Sequence, residues 1–71
     1  MSDNVYSVTE IYGSSTSSID DAIRNAVETA GKSLRHLEWF EVSQIRGHIK
    51  NDRVAHFQVG LKLGFRYEQA R

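Results

Sequence analysis

Few side chains in this sequence are equipped for chemistry, and the most capable is the single tryptophan, Trp39. An indole face is broad and polarizable. It either fills an interface between subunits or serves as a stacking platform for a flat heteroaromatic ligand. Gln58 carries an amide donor group and an acceptor, which suits the edge of a pyrimidine-like ring; the plainer alternative is a solvated strand residue. Arg46-Gly47-His48 sets a guanidinium and an imidazole beside backbone that can come close, which is either a small anion site or a solvated strand end. The three histidines, His36, His48 and His56, lack the spacing of a metal motif, so no metal is expected. There is no GxSxG, no HExxH, no Gly-rich phosphate loop and no paired-carboxylate motif. Gly13-Ser14-Ser15 resembles a weak anion site at a helix N-terminus, but Asp20 and Asp21 follow at once and oppose that use. An aromatic platform with an amide reader, and no acid, base or nucleophile constellation, points to binding and away from catalysis.

Four elements must position these residues. Residues 5–12 are rich in β-branched and aromatic types and are ended by Gly13-Ser14-Ser15, as a strand would be. Both faces of this strand are mixed in character. Ser18 with Asp21 then reads as a capping box. Apolar residues follow at Ile19, Ala22, Ile23, Ala26, Val27, Ala30 and Leu34, the stripe of an amphipathic helix. Asp20 and Asp21 in its first turn, with Lys32 and Arg35 in its last, favour the helix dipole. The stripe is made largely of small residues, and Gly31 in a helix interior costs about 1 kcal/mol relative to alanine, so a close approach of helix to sheet is expected.

Residues 37–49 and 53–66 read as a long hairpin closed by a two-residue turn at Asn51-Asp52, since both types tolerate positive φ. With uniform pairing from that turn, Lys50 faces Arg53. Phe40 and Val42 then share an apolar face with Leu63, Leu61, Val59 and Phe57, and the helix should lie on it. Trp39, Glu41, Ser43 and Ile45 share the other face with Gly64, Lys62, Gly60 and Gln58. Glu41 faces Lys62, and Trp39 faces a glycine that leaves space over it. The same pairing puts Arg46 and His48 on the helix side, unless a β-bulge shifts the parity.

Length sets a further condition. Seventy-one residues make a single domain, 1–71, of α+β class. About a quarter of the chain is Leu, Ile, Val or Phe, enough for a core and too much for disorder. A lone core of this size rarely supplies more than about 3–5 kcal/mol. With no cysteine there is no disulfide and no cysteine zinc site. Oligomerisation or a bound ligand must supply the rest. Nine basic side chains balance nine acidic ones, which disfavours nucleic acid and anionic membrane as partners. No apolar run approaches a membrane span, and Met1-Ser2-Asp3-Asn4 does not read as a signal peptide. A soluble cytoplasmic protein is expected.

The stretch Leu37-Glu38-Trp39-Phe40-Glu41-Val42-Ser43-Gln44-Ile45-Arg46-Gly47-His48-Ile49 resembles the signature of the dodecins, small flavin-binding proteins of bacteria and archaea. The likeness extends to Val5-Tyr6, to the helix and to the closing Phe57-Gln58-Val59 and Gly64-Phe65-Arg66. It implies a β-α-β-β fold, with a three-stranded antiparallel sheet partly wrapped around one helix, and a hollow homododecamer. It further implies storage and protection of a flavin, stacked on tryptophan between subunits with its photochemistry quenched. Trp39 matches the stacking tryptophan and Gln58 the glutamine that hydrogen-bonds the pyrimidine end of the ring. Glu38 and Arg46 match residues around the ribityl phosphate of flavin mononucleotide (FMN); riboflavin is the ligand of the archaeal members. Some bacterial members also hold coenzyme A, for which the matching region is Val5, Tyr6, Ser7, Ser33, Arg35, Arg66 and Glu68. One departure is Thr29, where a coenzyme A binder of this type would carry a basic residue. The alternatives are a flavin-dependent redox enzyme and a non-catalytic assembly module for a protein partner. Uniform hairpin pairing sets Glu38 and Arg46 on the face opposite Trp39. Either the strands bend or bulge, or those two residues reach the ligand from a neighbouring chain.

Overall fold

The computed structural model describes residues 3–67. The elements are β1 (Tyr6–Ser15), α1 (Ile19–Gly31), β2 (Leu37–Lys50) and β3 (Arg53–Arg66). The strands form one antiparallel sheet in the order β1-β3-β2, so the last strand is central. This is the expected α+β arrangement. β1 continues past the expected end at Tyr12, because Gly13, Ser14 and Ser15 stay paired with Val59, Gln58 and Phe57.

Ser18 caps α1 from extended backbone, its hydroxyl accepting the Asp21 N–H at 3.0 Å. Such a cap is worth about 0.5–2 kcal/mol. The reciprocal half of the capping box is replaced: the Asp21 carboxylate accepts from the Ser15 hydroxyl at 3.0 Å, and Ser15 Oγ accepts the Ser17 N–H at 2.9 Å. The helix stops at Gly31, earlier than the apolar stripe predicts. Shorter bonds close its end, from Lys32 N–H to Thr29 O at 3.2 Å and from Ser33 N–H to Ala30 O at 3.0 Å. Leu34 and Arg35 therefore lie beyond the helix.

The close approach of helix and sheet is real, but the glycine responsible is Gly13. A Cβ there would run into the Ala22 carbonyl oxygen and lie 2.8 Å from the Ala26 Cβ. At Gly31 the nearest neighbour of a Cβ would be Leu37 Cδ1, at an ordinary 3.9 Å. Ala22 and Ala26 complete the core with Val59, Leu61 and Leu63, and Ile11, Ile19, Ile23, Val27, Ala30 and Leu37 pack around it. Full burial of each β3 side chain contributes roughly 1.5–3 kcal/mol. The helix lies over β1 and β3. Phe40 and Val42, expected beneath it, are on its side of the sheet but 49% and 39% exposed, as is Ile45 at 60%.

Asn51 and Asp52 form the tight turn with φ of 53° and 62°, so Lys50 faces Arg53 as expected. Uniform pairing then fails at three places. Ala55 is an extra residue on β3, so His48 pairs with His56 and Arg46 with Gln58. Ser43 is an extra residue on β2, which restores the expected register from Val42–Leu61 to Trp39–Gly64. Glu38 is a third extra residue, before Leu37–Phe65. Each bulge reverses which side of the sheet the following residues face. Arg46 and His48 thus lie on the face away from the helix, and Ile45 on the helix side. Both placements correct the uniform-register expectation.

Candidate functional site

The face away from the helix is built on two glycines of the central strand. Gly64 is flanked by Trp39 on β2 and Val8 on β1, and Gly60 by Gln44 and Tyr12. A Cβ at Gly64 would overlap the indole of Trp39. The indole therefore lies flat across the central strand and meets Tyr6 of β1 edge-on, with ring centres 6.4 Å apart and planes at 61°. It remains 41% exposed. Gly60 likewise lets β1 and β2 side chains meet above it. A Cβ there would come within 2.9 Å of Tyr12 Cε2 and 3.0 Å of Ser43 Oγ. The Ser43 hydroxyl donates to Glu10 at 2.8 Å, and the Tyr12 hydroxyl to Gln44 Oε1 at 3.0 Å.

Gln58 is on this face, as the hairpin pattern predicts, and Arg46 joins it. The Arg46 Nε–H donates to Gln58 Oε1 at 3.1 Å, and the guanidinium carbon lies 4.9 Å from the centre of the Tyr12 ring. Beyond this pair the rings of His48 and His56 stack at 5.2 Å and 9°. Glu38 also reaches this face through its bulge. Its carboxylate accepts from the Tyr6 hydroxyl at 3.1 Å and pairs with Arg66 at 3.5 Å. The structure therefore gathers Trp39, Gln58, Arg46 and Glu38 on one face within a single chain. It does not bring all four to one point. Gln58 and Gly64 are six positions apart on β3, roughly 20 Å along the strand at about 3.3 Å per residue. Lys62 stands between Glu10 and Glu41, its register partners on either side, the second as expected from the sequence.

A second recess, of about 300 Å³, opens where the end of α1 meets the edge of the sheet. Ser33, Arg35 and Arg66 line it with Ser7, His36 and Tyr67. Arg66 donates to His36 Nδ1 at 3.0 Å. Of the other residues matched to coenzyme A, Tyr6 lies on the opposite face beside Trp39, and Glu68 is outside the described residues. Among the described residues no group of three His, Cys, Asp or Glu could hold a metal ion. Within the same range no helix is long and apolar enough to cross a membrane.

Reading the sequence alone missed Tyr12 and the part played by Tyr6 beside the indole. Their signal was the spacing of Gly60 and Gly64, two bare positions on one face of a strand otherwise rich in large residues.

A single helix against a three-stranded sheet, with an exposed aromatic side chain packed on the opposite face, defines a small β-α-β-β domain. A family model described as Dodecin matches residues 5–68, and the chain belongs to the dodecin family. It is 46% identical over 65 residues to the dodecin of Thermus thermophilus, across 92% of this chain and 94% of that one. Its fold superposes on the dodecin of Streptomyces coelicolor with a TM-score of 0.93 at 56% identity, over 99% of this chain and 100% of the other. The dodecin of Streptomyces davaonensis gives 0.90 at 43% identity, over 96% and 100% of the two chains.

Proposed function

We propose that this protein binds FMN between its own subunits, as a non-catalytic storage and protection protein of the cytoplasm. The observation that carries this reading is Trp39 laid flat on Gly64 with the Gln58 amide on the same face but roughly 20 Å away. A three-ring heterocycle cannot touch both in one chain. A site that uses both takes the platform from one copy and the amide from another. The residues fit a flavin: an exposed indole covers the ring face, and a polar side chain reads its pyrimidine edge. Arg46 and Glu38 flank this surface, Arg46 as the positive charge for the phosphate and Glu38 as an acceptor for the ribityl hydroxyls. Riboflavin would share the ring and ribityl contacts and forgo the phosphate. Apolar Phe40, Val42 and Ile45, left uncovered by the helix, supply the surface for a closed homo-oligomer, which we take to be a dodecamer.

Trp39 packed against the ring quenches its excited state by rapid electron transfer and return, which suppresses flavin photochemistry. A ring stacked on both faces has no space for a second substrate, which argues against a redox enzyme. The test is fluorescence titration of FMN into the ligand-free protein. Quenching at micromolar protein is expected, and Trp39→Ala should abolish it while losing about 0.5–1.5 kcal/mol per aromatic pair beyond area burial. Unquenched fluorescence with wild type would overturn the reading. Nicotinamide-driven reductase activity that depends on Trp39 would favour an enzyme, and a protein purified without flavin that takes none up would be an assembly module.

The recess lined by Ser33, Arg35 and Arg66 carries a second ligand reading, coenzyme A, because two basic residues, Arg35 and Arg66, line the one cleft. Calorimetric titration with coenzyme A tests it, and Arg66→Ala should weaken the binding.

A further inference from the structure

Arg46 stands between two partners, Gln58 and Tyr12, and both contacts constrain the amide. Arginine has donors only. The Gln58 atom within 3.1 Å of Arg46 Nε is therefore the carbonyl oxygen, and flipping the amide would set its NH2 against the N–H of Arg46. The guanidinium is held over the Tyr12 ring at 4.9 Å. Tyr12 is held in turn by its hydrogen bond to Gln44 and by Gly60, which makes room for the edge of its ring. One lone pair of the Gln58 carbonyl is thus engaged within the chain, which fixes the amide orientation and leaves its N–H donors for a ligand. This refines the expectation of one donor and one acceptor facing the ring.

We propose that Tyr12 is a positioning residue: by stacking under Arg46 it fixes the Gln58 amide as a hydrogen-bond donor, so this face selects a heteroaromatic edge rich in acceptors. The identity of the ring rests on the flavin reading above. In a flavin such edges are the ring carbonyls with their adjacent unprotonated nitrogens, and the N3–H edge is not one. Tyr12 acts through Arg46 and Gln58, with no contact of its own to the ring.

Two measurements test this, with lumiflavin as the probe, because it has no phosphate for Arg46 to bind. In crystals of the ligand-free assembled protein, Tyr12→Leu should release Arg46 from Gln58, and Tyr12→Phe should keep the contact. An Arg46–Gln58 bond unchanged in Tyr12→Leu overturns the proposal. In solution, Tyr12→Leu should weaken lumiflavin binding by about three- to fivefold, in keeping with an exposed cation–π contact. Tyr12→Phe should restore most of that loss. In a Gln58→Ala background Tyr12→Leu should cost nothing further. The same loss in that background would show a direct or merely structural role and overturn the assignment. Failure of wild type to bind lumiflavin would remove the flavin reading, while the crystal contact would still decide whether Tyr12 positions Gln58.

Discussion

The indole of Trp39 occupies the space in which Gly64, its partner across the hairpin, would carry a side chain. Glycine is required here for room, since no glycine in the described chain has positive φ. Gly64→Ala should therefore lift the ring from the sheet without breaking the strand. The expected result is a changed tryptophan emission, at least tenfold weaker FMN binding, and a stability loss of about 1–3 kcal/mol from overpacking. Flavin titration and chemical denaturation of the same preparation measure both effects.

Gln58→Glu keeps the size of the side chain and removes its N–H donors. The carboxylate would pair with Arg46 and turn negative charge toward the ring carbonyls. An unpaired buried polar group costs about 1–3 kcal/mol, so FMN affinity should fall roughly tenfold or more near neutral pH. Protonation in acid restores one donor, and affinity should then partly recover. The fold should persist, because Gln58 lies on the face opposite Val59 and Leu61. Equal affinity of wild type and variant at every pH would remove Gln58 from the site.

Ile45 is 60% exposed on the helix side of the sheet, beside Phe40 and Val42. If copies of the chain close over this surface, Ile45→Asp places a charge in the contact. Light scattering should report a multiple of 8.1 kDa for wild type and a shift toward smaller species for the variant. A wild-type mass near 8.1 kDa with full secondary structure would contradict the assembly.

Two glycines should respond oppositely to alanine. At Gly13 the new methyl group meets the Ala22 carbonyl oxygen, so the helix must shift, with an expected loss of about 1–3 kcal/mol. At Gly31 there is room and an ordinary backbone, and alanine should be neutral or stabilising by up to about 1 kcal/mol. Denaturant midpoints of the two variants check the contrast.

The elements, the cap at Ser18 and the turn at Asn51-Asp52 were legible because each rests on local chemistry, and the face of Trp39 came out as expected because the bulges at Ala55 and Ser43 cancel. The coverage of Phe40 and Val42 was not, since strand order decides it: the helix sits over β1 and β3, and nothing in β2 itself records that. Nor were the faces of Glu38 and Arg46, which depend on bulges at Glu38, Ser43 and Ala55 that carry no glycine or proline to mark them. The interaction of Tyr12 with Arg46 needed both the β1–β3 pairing and the Ala55 bulge.

The bulges at Ala55 and Ser43 stand in the relation of a frameshift and its suppressor. The first puts the hairpin out of frame, the second puts it back, and both ends read as though neither existed. Only the stretch between them, Gln44 to His48, is turned over. With every residue kept and Ala55 and Ser43 drawn into uniform pairing, the hairpin would have the same turn and the same Trp39–Gly64 pair. In that hairpin Ile45 would share the indole's face and Arg46 would point at the helix side. The chain can therefore carry one set of contacts at its ends and exchange the character of its middle by two single-residue events, neither of which is tolerable without the other.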